Sequence, residues 1–126
     1  MPILRFDPSA SVIIVDAQVT GRVTIVTRLV LDTGASLVVL PWKLALGIGI
    51  SIDPEKTIQT TTATAIETVP KVVIPEISVL GKKIKNVDAI IKDFPPESPI
   101  DGLLGLSFLK HFHLKINFPK GELFLE

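Results

Sequence analysis

The sequence predicts an all-β fold with one short C-terminal helix, and three observations lead there. Val- and Ile-rich runs alternate with polar residues at a period of two, the spacing of strands that bury one face. Turn residues break these runs at short intervals. Pro95, Pro96 and Pro99 exclude a helix and any central strand from residues 92–99. The sole sustained helical pattern late in the chain then covers residues 103–112.

The elements follow in order. Residues 11–20 and 23–31 read as a hairpin around Thr20-Gly21-Arg22. Residues 37–40 are a short strand. Residues 41–47 open on Pro41 and close on Gly47, which suggests a helix of one or two turns. Asp53 begins a turn that holds Pro54. Residues 57–62 pair with 65–74, followed by strands at 77–80 and 84–91 around a turn at Gly81-Lys82. Residues 92–99 are an extended loop, and 114–117 with 122–125 form a last hairpin across Phe118-Pro119-Lys120-Gly121. No internal repeat or low-complexity tract interrupts this order.

Composition sets the outer limits. A chain of 126 residues suits one domain, residues 1–126, with a real core. Hydrophobic residues make up 47% against 21% charged, which argues against disorder and leaves apolar surface for a core or a subunit interface. Thirteen basic and thirteen acidic residues cancel, so no long-range field recruits nucleic acid or an anionic membrane. Lys82, Lys83 and Lys85 read as a solvated turn. Without cysteine there is neither a disulfide framework nor a thiol nucleophile. Residues 1–11 carry Arg5 and Asp7 and no apolar segment of signal-peptide type, and no uncharged apolar stretch approaches the roughly 20 residues of a membrane helix. A soluble, cytoplasmic protein is the expectation.

The segment with chemistry is Leu29-Val30-Leu31-Asp32-Thr33-Gly34-Ala35-Ser36-Leu37-Val38. It sets a carboxylate at the end of an apolar strand, followed by a hydroxyl, a glycine and small residues. Asp-Thr-Gly alone can be an ordinary turn, since Asp and Thr bond nearby backbone and Gly accepts positive φ. The flanks argue otherwise: an exposed turn rarely sits between such apolar runs, and a carboxylate there is costly unless its charge is shared or hydrogen-bonded. A carboxylate of this kind fits water-activated hydrolysis of a peptide bond. One ionised carboxylate takes a proton from water while a protonated one donates to the carbonyl oxygen. The chain has a single Asp-Thr-Gly, so the second carboxylate has to come from a second copy.

Other chemistries find less support. His111 and His113 have no cysteine or third histidine to complete a zinc site. Ser36, Ser78 and Ser107 lack the Gly-x-Ser-x-Gly context of a serine hydrolase. Gly47-Ile48-Gly49 is too short for a dinucleotide fingerprint. Asp16, Asp53, Asp88 and Asp93 stand in strand or solvated-turn contexts. No metal or organic cofactor is implied.

Two motifs together resemble the retropepsin-like aspartic peptidases, single-domain relatives of pepsin and of retroviral proteases. Residues 29–36 resemble the active-site loop, and Asp101-Gly102-Leu103-Leu104-Gly105-Leu106-Ser107-Phe108-Leu109 resembles the segment of two hydrophobics and a glycine that packs beside it and leads into a short helix. The resemblance spans residues 12–125. It implies a homodimer that hydrolyses peptides or unfolded proteins, with Asp32 as the catalytic carboxylate and Thr33 bonded across the two-fold axis to its mate. Gly34 would bring backbone close to the carboxylate, and Ala35 would be small where substrate passes. Leu103 and Leu104 would support the site as core, with Gly105 allowing close packing. Asp101, which begins the second motif, would support structure without carrying chemistry.

The flap region departs from the family pattern. Thr62, Ala63, Thr64, Ala65 and Ile66 are the expected substrate contacts, yet residues 60–67 contain no glycine and the chain has no tyrosine. A wider loop of small residues is expected there. The alternative reading, from a different class, is a catalytically inactive binding or dimerisation module that keeps the fold. An intact Asp-Thr-Gly argues against it, because a module freed from catalysis has no need of a costly carboxylate pair.

Overall fold

Alternation drives the first hairpin. Val15, Ala17 and Val19 are buried while Asp16 and Gln18 between them are exposed, as a strand with one wet face requires. In the computed structural model, which describes residues 2–61, 63–98 and 100–126, these residues belong to β2 (Ile14–Thr20). It pairs antiparallel with β3 (Thr24–Leu31), from Thr20↔Thr24 back to Ile14↔Val30. The chain then passes through β4 (Val38–Leu40), the helix α1 (Trp42–Gly47), β5 (Thr57–Thr61), β6 (Ile66–Val79) and β7 (Lys82–Ile91). The elements β8 (Leu103–Leu104), α2 (Leu106–Leu109), β9 (Leu114–Asn117) and β10 (Glu122–Leu125) complete it, and β1 (Leu4–Arg5) precedes them all. Among the described residues no helix is long and apolar enough to cross a membrane.

Sheet order explains how so short a chain encloses a core. The large sheet runs β2-β3-β8-β4-β7-β6-β5, and an added pairing of β2 with β6 closes six of its strands into a ring. Phe108, Leu29, Leu40, Ile74, Ile77, Ile91 and Leu104 fill the interior with no or almost no exposed surface. Each such side chain contributes on the order of 2–3 kcal/mol through burial. A small sheet, β1-β10-β9, adds Leu123 and Leu125 to the same core. The ring leaves β5 outside, so the β5–β6 hairpin projects beyond the barrel with register Thr57↔Pro70 to Thr61↔Ile66.

The structure amends the sequence reading in four places. Leu103 and Leu104, expected to begin a helix, form a two-residue strand, parallel to β3 at Val30 and Leu31 and antiparallel to β4 at Val39. Backbone partners on both sides outweigh the helical pattern, and the helix shrinks to Leu106–Leu109. Residues 65–74 and 77–80, expected as separate strands, run as one strand through Pro75. The β6–β7 ladder skips the Pro75 position, opposite Asn86 with its φ of 58°, and an unpaired ladder position is where a strand tolerates a missing N–H. The tight turn between β6 and β7 falls on Leu80 and Gly81, both with positive φ, one residue earlier than expected. Finally, Leu4–Arg5 pairs with β10, a strand the sequence did not announce.

Candidate active site

Asp32 leaves β3 at the point where the strand loses its antiparallel partner. Its backbone N–H donates to Leu104 O at 3.1 Å, as Val30 N–H does to Gly102 O at 3.0 Å. The carboxylate is oriented from its own turn, since Gly34 N–H donates to Asp32 Oδ1 at 2.9 Å. A Cβ on Gly34 would lie 3.1 Å from that oxygen, so a side chain there crowds the carboxylate. Ala35 N–H returns to Asp32 O at 3.2 Å and closes the turn.

Residues 104–107 pin the rest of the loop. Leu106 N–H donates to Ala35 O at 2.8 Å and Ser107 N–H to Ser36 O at 3.0 Å. The Ser107 hydroxyl accepts from Val38 N–H at 2.9 Å and donates to Asp88 O at 2.7 Å, joining three segments through one buried oxygen. Contact is closest at Gly105, where a Cβ would stand 2.4 Å from Leu37 O and 2.7 Å from Ala35 O. No side chain fits there. Leu104 is fully buried in the main core, whereas Leu103 is half-buried beside the small cluster of Val39, Val69 and Ile90. Ser107, weighed from the sequence only as a nucleophile, is a further residue that holds the loop; its signal was its place two residues after Gly105 in the second motif.

A cleft of about 460 Å³ opens over Asp32. Gly34, Ala35 and Leu37 line it from the loop, Val39, Ile90 and Leu103 from the barrel, Phe94 and Lys92 from the segment after β7, and residues 58–61 from β5. Among the described residues Asp32 is its one acid. Asp32 itself is half-buried, while Thr33 and Gly34 are exposed, so the loop tip of the single chain faces outward. Of the flap contacts expected from sequence, Ala63, Thr64 and Ile66 are exposed and, with Ala65, lie outside the lining of this cleft; Thr62 lies outside the described residues. Ile58, Gln59, Thr60 and Thr61 stand there instead, because the β5 arm and not the tip turns toward Asp32. Among the described residues no three His, Cys, Asp or Glu side chains gather in a metal-binding cluster.

A strand ending in Asp-Thr-Gly, a second apolar strand wedged beside it and an apolar cleft above define a class, the aspartic proteases. A family model described as aspartyl protease matches residues 15–108, and the chain belongs to that family. In structure it is similar to a retropepsin-like aspartic protease from Rickettsia conorii, with a TM-score of 0.69 and 22% identity over 97% of this chain and 95% of that one. The fold is retropepsin-like. No curated protein matches the chain.

Proposed function

We propose that the protein is an aspartic endopeptidase whose site is completed by a second copy of the chain, each copy supplying one Asp32. The observation that carries this reading is the lone carboxylate: among the described residues the cleft holds one acid, at the outward-facing end of a loop built to hold it still. In the paired site a water lies between two carboxylates that share one proton. The ionised one takes the water's proton as its oxygen attacks the peptide carbonyl carbon, and the protonated one donates to the carbonyl oxygen. The resulting diol collapses with transfer of a proton to the leaving amine, and the carboxylates return to their starting state. Thr33, exposed in the single chain, is available to bond its mate, since a hydroxyl both donates and accepts. Leu37, Val39, Ile58, Ile90, Phe94 and Leu103 give the cleft an apolar wall suited to apolar side chains of an unfolded substrate.

The test is cleavage of an unfolded protein by wild type and by Asp32→Asn, with activity followed on dilution beside sedimentation. Wild type should cut, the variant should fold and fail to cut, and specific activity should fall as the dimer dissociates. Two like charges about 3 Å apart release their protons in separated steps, so kcat/KM should be bell-shaped with an acidic maximum. A fully active monomer, or activity retained without the Asp32 carboxylate, overturns the shared dyad. A folded dimer that binds peptides and cuts none moves the reading to a binding module.

A further inference from the structure

One corner of the cleft is polar. Among the described residues Lys92 is the one cation lining it, just past the end of β7. Its N–H donates to Leu40 O at 3.0 Å, and the neighbouring Asp93 accepts from Trp42 N–H at 3.0 Å, so the backbone carrying the ammonium is tied to β4 and α1. Lys92 Nζ lies 3.3 Å from Glu67 Oε2 on the flap arm β6, with 24% of the lysine side chain exposed. Glu67 is paired in register with Thr60, and directly opposed residues of an antiparallel ladder share a face. Thr60 lines the cleft as well, and its Oγ1 is shut from solvent without a hydrogen-bond partner among the described residues.

A buried hydroxyl with no partner is costly, and an ammonium has donors to spare after meeting one carboxylate oxygen. Both groups are served by an acceptor, and an anionic acceptor serves them best. Resting on the peptidase reading above, we propose that Lys92 and Thr60 form an acid-selective subsite, so that the cleft takes peptides in which an apolar residue at the scissile bond is accompanied by Asp or Glu. Glu67 is the placeholder. While the cleft is empty it compensates the lysine charge, and when the hairpin shifts to admit a chain the substrate carboxylate joins or replaces it. That shift also uncovers the Thr60 hydroxyl. A basic side chain at the same place meets Lys92 as a like charge and is disfavoured.

Three peptides that differ at one position, Glu, Gln or Lys, test this. Wild type at about pH 6, where a Glu side chain is ionised, should show kcat/KM roughly tenfold higher for Glu than for Gln, the size of one charge-assisted hydrogen bond, with Lys lowest. The preference should fade below about pH 4 as the substrate carboxyl takes up a proton. Lys92→Glu should reverse the order. The double variant Lys92→Glu with Glu67→Lys restores an ion pair to the flap and should keep the reversed order; a return to the wild-type order would reduce Lys92 to a strut for the hairpin and overturn the subsite. Equal cleavage of all three peptides by wild type overturns the subsite and leaves the peptidase standing. If wild type cuts none, the peptidase reading falls, and fluorescence anisotropy with the same labelled peptides decides the subsite: tighter binding of Glu than of Gln supports it, and equal binding removes it.

Discussion

Between Asp32 and Val38 the chain is tied at Asp32, Ala35, Ser36 and Val38 to residues 104–107 across the sheet. The β5–β6 hairpin that faces the same cleft leans on other parts of the molecule through softer contacts. Val69 and half-buried Ile58 rest on Val39 and Ile90, and Lys92 reaches Glu67. Buried hydrogen bonds are short-ranged and geometrically exacting, whereas a small apolar cluster and a partly exposed ion pair tolerate movement. The molecule thus puts its rigidity under the carboxylate and its compliance at the entrance. A peptidase needs that division, because the reacting group must be positioned to within a fraction of an ångström while a polymer has to enter.

The comparison is broken most severely at Gly105. A methyl placed 2.4 Å from Leu37 O has no free space and no flexible neighbour to displace, so Gly105→Ala should cost at least about 3 kcal/mol or abolish folding. Ala63→Val, a larger enlargement at the exposed tip of the hairpin, should stay within about 0.5 kcal/mol. Urea unfolding of the two variants measures both. Equal stabilities would mean that the loop is not the tight region described above.

How much of this contrast the sequence disclosed depends on the range of the interaction. The strand leading to Asp32, the hairpins and the glycine-free tip were legible because each rests on neighbours in sequence, such as the alternation in β2 or Gly81 in its turn. The two-residue strands were not: Leu103–Leu104 and Leu4–Arg5 are too short to show a period and exist because distant strands supply their partners. Pro75 read as a break for a like reason, since only the opposed strand reveals an unpaired ladder position there. At the site, the link between residues 32–38 and 104–107 entered through a resemblance of motifs. The Ser107 bridge and the inward turn of the β5 arm needed coordinates, because which face of a hairpin looks at a cleft is settled by packing.

A second pair of substitutions separates the regions by dynamics. Ser107→Ala leaves Val38 N–H and Asp88 O without their shared hydroxyl and should cost about 1–3 kcal/mol. Ile58→Ala removes half-buried apolar surface from the hairpin and should cost about 1 kcal/mol. Amide hydrogen exchange gives the sharper readout. Ile58→Ala should speed exchange across β5 and the first half of β6 while leaving Val38 protected, and Ser107→Ala should act chiefly at Val38 and its neighbours. If both variants accelerate both regions alike, loop and hairpin form a single cooperative unit and the contrast fails.

The smallest effect concerns an ion pair far from the cleft, which serves as the reference for the one on the hairpin. Lys115 Nζ lies 3.0 Å from Glu126 Oε1, where the ends of β9 and β10 meet, and His113 Nδ1 lies 3.5 Å from Oε2. The hydrogen bond from Lys115 holds the Glu126 carboxyl below the usual carboxylate range; desolvation is the next largest influence and opposes it, and the charges of Lys115, His113 and Lys82 add to the lowering. A depressed folded-state pKa favours the native state at pH values above the unfolded pKa, and the benefit is lost as pH falls through the folded value. Lys115→Ala should therefore move the NMR titration of Glu126 upward, toward an ordinary glutamate. Any loss of stability should be visible near neutral pH and vanish in acid, where both forms are protonated. Exposed pairs contribute little, so Lys115→Ala should leave peptide preference and hairpin exchange untouched. Matching changes there would show that charge acts on the cleft through the whole molecule and not through the Lys92 corner.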